Sequence, residues 1–508
     1  MSDSNEQTIV KRAEVSYVDK CERFKFEDKQ DYERQFNELY HARLDSLRSR
    51  IIKAAEKKWG SDKTVRKLTE LYDYKDQCII IGTIYKIQEL KPSVLKDIAD
   101  EASITPQPVH ALKLTSDDDK CILEDENLRV NLAGPNIDHG LLVTGVTLGV
   151  FGWQEEGGSF DVIDICFADP PLSPPTIVVP SSFEQEDCFV LMLSGLNFNG
   201  SKEGDGEDAR RVLYCRLLSE WITGKVGDED ELSKISRIVR VIIAGGNISD
   251  KSHTDGREYG QIARYRSRKA APPTVEAVRM LDDFLRDIVT SVDVDLMPGE
   301  HDPSNHMLPQ QPLHRCLFPN AAEFLSLHQC TNPYASSING VSFLGTSGQN
   351  IDDVLKYSTI VDSLAALEST LSWSHLSPTS PDTLGCYPYY QSDPFLIEGE
   401  LPHVYFAGNQ SSLQTKLIEQ PIEDDDDDTG KKTLLLSLPK FSESGICALV
   451  NLRTLEVEPI AFAADELFNG HHENGNGLSD LSMDVDPDED DLSSATETPI
   501  TGTPELFG

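Results

Sequence analysis

The sequence predicts a small all-β barrel followed by a larger α/β unit and a long acidic tail. Three observations carry that expectation. Residues 76–170 hold about five short strand-like runs broken by glycines. From residue 189 onward, continuous apolar runs alternate with an amphipathic helical stripe and end in Gly-bearing loops. Residues 465–508 contain twelve acids and no Lys or Arg. At 508 residues and 39% hydrophobic content, the chain can bury one large core and a smaller one.

Residues 1–27 lack apolar periodicity and are expected to be disordered. A helical region follows over 28–75. There Tyr32, Phe36, Leu39, Tyr40, Leu44, Leu47 and Ile51 form a stripe of 3.6-residue period, and Gly60 after Trp59 is the stop. Such a stripe must pack on something, either its own domain or a partner subunit.

Residues 76–175 form the β unit. Cys78–Ile87 is a strand with Gly82 marking a bulge or tight bend. Ile122–Leu132 reads as two strands around a turn, and Leu142–Gly152 and Phe160–Phe167 complete the set. Five strands with glycine bends in this length suit an OB-fold barrel. An OB-fold that reads single-stranded nucleic acid needs stacking aromatics and a basic groove. This segment is acidic, so a protein-binding barrel is preferred.

Pro170–Thr176 is rich in proline and marks a boundary. Beyond it, over 186–464, Phe189–Leu193 and Ile238–Ile243 are buried-strand runs. Val275, Val278, Leu281, Leu285 and Ile288 mark a helix, and Val292–Met297 is the next strand. Strand, helix and strand in that order argue for βαβ layering with functional loops at the strand ends. Those loops carry glycine: Ser194–Gly195, Ala244–Gly246, Pro298–Gly299 and Gly408.

Charge narrows the function. The net charge is −40, and setting aside the eighteen acids of the tail and of Glu423–Asp428 still leaves −22. Autonomous binding to DNA phosphates, which draws on Lys and Arg, is disfavoured. The basic cluster Arg264–Lys269 reads first as a solvated loop, and Glu423–Asp428 as a surface loop. The ten cysteines hold no Cys-x-x-Cys pair, as expected of buried thiols in a reducing compartment. No signal pattern or run of roughly 18 uncharged apolar residues is present, so a soluble intracellular protein is expected. There is no Gly-x-Gly-x-x-Gly or P-loop, no His-Glu-x-x-His pair, and Gly345–Gln349 lacks nucleophile-elbow spacing. In the tail, Ser482–Ser494 mixes serines with acids, which reads first as an unmodified solubilising tail and second as a context for phosphorylation.

The most telling stretch is Leu401–Ser411. It reads like the last metal loop of a two-metal phosphoesterase, where a strand ends in Gly-His-x-His. Asn409 and Ser411 occupy the two imidazole positions, and an amide and a hydroxyl are weak neutral ligands for a divalent cation.

Six longer passages resemble one family: Asp295–Asn305, Leu308–His314, Thr331–Tyr334, Phe343–Asn350, Ser377–Pro388 and Pro402–Asn409. Through them the chain, over about residues 30–465, resembles the second, B-type, non-catalytic subunits of DNA polymerase delta. The resemblance implies an OB-fold barrel joined to an inactive calcineurin-like phosphodiesterase α/β sandwich, with a disordered acidic tail over 465–508. Set beside the active superfamily pattern, Gly195 and Asn197 stand where Asp and His would be. Gly246 stands at the second Asp and Glu300 at the Asn. Gly345–Ser347 lacks the lone His, and Asn409 and Ser411 end the series. His301 and Asp302 persist, and structural retention is the preferred reading of both. A stray cation held with Glu300 and Asp250 is the lesser one.

The resemblance therefore implies no catalytic residue, metal or cofactor. It implies a nuclear scaffold for DNA replication and repair. Its partners would be the cysteine-rich C-terminal module of the catalytic subunit and a third subunit that contacts the sliding clamp. Contact with DNA would be weak or indirect, and membrane contact is not expected. The family subunit is also shared with translesion polymerase zeta. Two rival classes stand beside this: a residual metal-dependent phosphodiesterase or nuclease, and a single-stranded DNA-binding OB protein.

Overall fold

The computed structural model describes residues 11–27, 30–73, 76–91, 113–168, 187–200, 206–250, 273–420 and 431–462. The proline-rich boundary, the Arg264–Lys269 cluster, the Glu423–Asp428 run and the acidic tail with Ser482–Ser494 lie outside the described residues.

Residues 11–27 depart from the expectation of N-terminal disorder. Strand β1 (Tyr17–Asp19) pairs antiparallel with residues 336–338. The Arg12 guanidinium donates to the carbonyls of Ile235 (2.6 Å), Ile238 (2.8 Å) and Ile222 (2.9 Å). The order comes from borrowed partners, which local periodicity does not reveal.

Helix α1 (Asn37–Trp59) begins later than the stripe suggested. Tyr32 and Phe36 precede its first turn and are exposed. Gly60 ends it at φ +90°, its N–H donating to the Glu56 carbonyl at 3.0 Å. The buried face of Leu44, Leu47, Ile51 and Ala55 packs on Ile79, Ile81, Phe151 and Cys166 of the barrel. Full burial of each such Leu or Ile is worth about 1.5–3 kcal/mol. The stripe thus packs within its own chain.

The barrel comprises β2 (Val65–Arg66), β3 (Cys78–Ile87), β4 (Lys120–Glu124), β5 (Arg129–Ala133), β6 (Thr147–Gln154) and β7 (Phe160–Cys166). The order is β2-β3-β4-β5-β7-β6, and β6 pairs back onto β3 to close it. Closure requires β3 to change neighbours. Cys78–Thr83 lies along β6 and Thr83–Ile87 along β4. Gly82 sits at the changeover, where a Cβ would stand 2.4 Å from the Glu124 carbonyl oxygen. The strand expected from Leu142 starts only at Thr147. Leu142, Val143 and Val146 are buried in a turn whose Gly145 has φ +91°.

The remaining elements, in chain order, begin with β8 (Phe189–Leu193), α2 (Gly206–Ile222), α3 (Glu229–Ser236), β9 (Ile238–Ala244), α4 (Pro273–Val289) and β10 (Asp293–Met297). Then come β11 (Leu327–Gln329), β12 (Tyr334–Ile338), β13 (Val341–Thr346), α5 (Gln349–Tyr357), α6 (Ser363–Ser372) and β14 (Val404–Gln410). The last are β15 (Gln414–Gln420), β16 (Lys431–Pro439), α7 (Phe441–Ser444), β17 (Ile446–Asn451) and β18 (Val457–Ala461). They build two six-stranded sheets, β1-β12-β13-β14-β16-β15 and β11-β10-β9-β8-β17-β18.

Side-chain alternation explains the layering. Val190, Met192 and Ile242 of one sheet share a buried cluster with Phe343, Val404, Phe406 and Leu436 of the other. The intervening Leu191, Leu193, Val241 and Ile243 face Leu218 of α2 and Leu281 and Leu285 of α4. On the far side Leu344, Tyr405 and Leu435 join Ile351 of α5, Leu367 of α6 and the barrel interior in one core.

Two buried cations tie the barrel to this unit. Arg43 of α1 bonds Asp393 (2.8 Å), the Gly145 and Pro378 carbonyls (3.0 Å each) and the Ser380 carbonyl (2.9 Å). His375 Nε2 lies 2.9 Å from Asp393, and its Nδ1 accepts from Ser377 N–H, so Nε2 carries the proton and the ring is neutral. Lys86 of β3 pairs with Asp119 at 3.2 Å, both side chains fully buried, and donates to the Tyr357 carbonyl at 3.1 Å. All ten cysteines are free thiols, and all but Cys316 are buried.

Candidate functional site

Parallel pairing decides where the loops gather. Strands β8, β9 and β10 run parallel in one sheet, and β13, β14 and β16 run parallel in the other. Their C-terminal loops surround a recess of about 420 Å³. Asn197, Gly246, Glu300, His301, Asn409 and Ser411 all line it. Gly195 and Asp302 stand behind this lining.

Asn409 is the centre of the arrangement. Its backbone is left-handed, φ +58°, a conformation that Asn tolerates better than most residues. Its backbone N–H donates to Ser194 Oγ at 2.8 Å. Its side-chain NH₂ donates to the Ala244 carbonyl (3.2 Å) and the Ser347 carbonyl (2.8 Å). One carboxamide thus joins the loops after β9 and β13, while the main chain joins that after β8.

The remaining amide oxygen takes up the space beside the two glycines. A Cβ on Gly246 would stand 2.2 Å from Asn409 Oδ1, and one on Gly195 would stand 2.9 Å from it. Both glycines are left-handed, at φ +69° and +68°. The loops that carry them are themselves bonded, Gly195 N–H to the Gly245 carbonyl and Asn197 N–H to the Gly246 carbonyl, each at 2.9 Å. A Cβ on Gly299 would lie 2.2 Å from Gly246 N. Three backbones therefore approach closely where longer side chains would need room.

The Glu300–Asp302 loop divides by function. Asp302 is buried and accepts from the N–H groups of Gly299 (2.7 Å), Ile248 (2.7 Å) and Asn247 (3.2 Å) and from the Asn247 amide (2.7 Å). Burial pushes its carboxyl above the ordinary range, outweighing those donors. His301 is half-exposed, 3.8 Å from Asp250 and 3.9 Å from Glu300. Asn197 donates to Ser442 at 2.9 Å. Ser347 accepts from Asn332 at 2.7 Å.

Sequence reading missed Asp352, Gln410, Lys440 and Glu443, which also line the recess. Gln410 adjoins Asn409 and donates to Asp352 at 3.1 Å. Lys440 follows the apolar run of β16, so the strand-end rule used for the other loops would have found it.

A two-cation centre needs carboxylates and imidazoles converging at about 2.0–2.2 Å from each ion. Here the lining mixes neutral groups (Asn197, Gly246, Asn409, Ser411) with Glu300, His301, Asp352, Lys440 and Glu443. Among the described residues no group of three or more His, Cys, Asp or Glu is placed to hold a metal ion.

Comparison with known proteins gives consistent matches in two parts of the chain. Residues 35–165 match the family model described as the DNA polymerase delta subunit OB-fold domain, and residues 190–415 match that of the B subunits of DNA polymerases alpha and epsilon. The chain is 41% identical over 454 residues to the DNA polymerase delta small subunit of Oryza sativa subsp. japonica, covering 89% of this chain and 98% of the relative. It is 37% identical to DNA polymerase delta subunit 2 of Drosophila melanogaster, covering 90% of this chain and 100% of the relative. With the small subunit of Saccharomyces cerevisiae it shares 31%, covering 85% and 90%.

Proposed function

The chain belongs to the family of DNA polymerase delta small subunits, and from that premise we propose that it is a non-catalytic scaffold of the polymerase delta complex. In this reading residues 28–75 and 76–175 supply the helix and the OB unit. Residues 186–464 are a phosphodiesterase-like α/β sandwich without its metals, and 465–508 an acidic tail. It bridges the cysteine-rich C-terminal module of the catalytic subunit and a third, clamp-contacting subunit, in the nucleus. Contact with DNA is indirect, in keeping with a net charge of −40.

The observation that carries the non-catalytic reading is the Asn409 carboxamide filling the space beside Gly195 and Gly246. Those positions, with Asn197 and Ser411, offer neutral groups, and Glu300 is the one anion among the six, where a metal pair needs several converging ligands. His301 and Asp302 are read as structural retentions: Asp302 accepts from the N–H of Gly299 in its own loop and from those of Asn247 and Ile248 in the loop after β9. A scaffold that no longer supports chemistry keeps large preformed surfaces suited to protein contact.

The test is co-expression with a polymerase delta catalytic subunit, intact or lacking its C-terminal module, followed by gel filtration. The intact pair co-elutes and the truncated pair does not. Failure of the intact pair to co-elute overturns the scaffold reading.

A further inference from the structure

We propose that the open edge strand β15, with the apolar groove beside it, accepts an extended strand from another polypeptide of the polymerase assembly. This rests on the scaffold reading above and adds the mode of docking and the chemistry of the partner.

Among the described residues strand β15 ends its sheet and is paired on one side only, with β16. The other sheet ends are poorer templates. Strands β1 and β11 have three residues each, and β18 carries Pro459, which lacks an N–H. β15 has seven residues and no proline. An unblunted edge of that length presents a row of donors and acceptors to a further strand.

The second observation is independent of the first. A groove of about 630 Å³ opens between this edge and the β17–β18 hairpin of the other sheet. Leu417, Leu434, Leu455 and Val457 line it, and Leu417 is 41% exposed. Leu417 is paired with Leu434, whose side chain belongs to the core between the sheets, so the groove is the open end of that core.

Alternation along β15 dictates what an added strand must look like. Thr415 and Leu417 line the groove, while Lys416 turns to the other face and pairs with Glu368 of α6 at 2.6 Å. An incoming strand therefore sets every second residue over the groove, and those residues must be apolar. The exposed Glu456 at the margin, on a chain of net charge −40, favours Lys or Arg flanking that run, while the neighbouring Glu458 is already paired with Lys234. The occupant is a strand of alternating apolar and polar residues with basic flanks.

The test is hydrogen–deuterium exchange of the full chain, alone and co-purified with polymerase delta catalytic and third subunits. Outward amides of Gln414–Gln420 exchange fast in the isolated chain and at least about tenfold more slowly in the complex. Leu417→Lys, at an exposed position, removes that protection and weakens retention of one partner without lowering the melting temperature. Equal exchange in the two states overturns the proposal. So does protection already present in the isolated chain, which would mean that its own residues or a second copy cover the edge. If the subunits co-elute while β15 stays unprotected, only this inference fails; if nothing co-elutes, the scaffold reading fails with it.

Discussion

The Gly246 Cα and the Asn409 carboxamide are in such close opposition that a Cβ on Gly246 would stand 2.2 Å from Asn409 Oδ1. Asn409 is in turn fastened through its NH₂ to Ala244 and Ser347 and through its N–H to Ser194. The two positions are therefore coupled, and neither can be changed as though the other were absent.

Gly246→Asp, which places a carboxylate in the recess, lowers stability by about 2–4 kcal/mol, because it adds a clash to a left-handed backbone. Asn409→Ala costs about 1–3 kcal/mol through its lost hydrogen bonds. The double variant is less destabilised than the sum, since truncating the carboxamide at position 409 removes the clash. Denaturant melts of the three proteins check this; strict additivity contradicts the coupling.

Purified protein with added manganese shows no hydrolysis of a chromogenic phosphodiester above the buffer rate. Turnover that disappears with His301→Ala would establish a residual metal centre and reverse the non-catalytic reading.

Arg43→Met destabilises the chain by about 3–5 kcal/mol, because it leaves the buried Asp393 carboxylate without its guanidinium. Arg43→Lys recovers little, since an ammonium cannot span Asp393 and three carbonyls at once. Urea unfolding measures both. A loss below about 1 kcal/mol for Arg43→Met would mean that water reaches the site.

Burial, and then the neighbouring Arg43 charge, push His375 down to about 4, against the pull of Asp393. Burial pushes Asp393 up, but His375 and Arg43 outweigh it and hold that carboxyl well below the ordinary range. For His375 the unfolded chain binds the proton first, so its contribution is complete above about pH 6.5 and is lost as pH falls toward 4. The span corresponds to about 3 kcal/mol. Asp393 adds a further loss below about pH 4, where the unfolded carboxyl takes up its proton. Unfolding free energies between pH 7 and 4 show the decline, and His375→Gln flattens its upper part.

The main layers of the fold were legible wherever a period ran unbroken. Cys78–Ile87 is the strand expected, and Gly82 is the bend, because closure of the barrel needs a residue without a side chain there. The helix ending at Gly60 and the runs at 189, 238 and 293 follow from apolar spacing alone. What stayed hidden depends on distant partners. Arg12 and Tyr17 are ordered by residues more than two hundred positions away. Leu142–Val146 is apolar enough for a strand, yet Gly145 turns it under the Arg43 guanidinium. In the recess, the sequence shows glycines at the strand ends. That a single amide would fill the space they leave could not be read from it, because it depends on an approach between loops of both sheets.

Arg43 and Asp393 are separated by 350 residues. A ribosome adding about 5–20 residues per second needs roughly 20–70 s to cover that interval. By residue 166 α1 and the barrel strands are made, while the carboxylate and two of the carbonyls that receive the guanidinium are still to come. The first domain to be synthesised is thus among the last to be finished. Its early life is that of a nascent intermediate awaiting the far end of its own message.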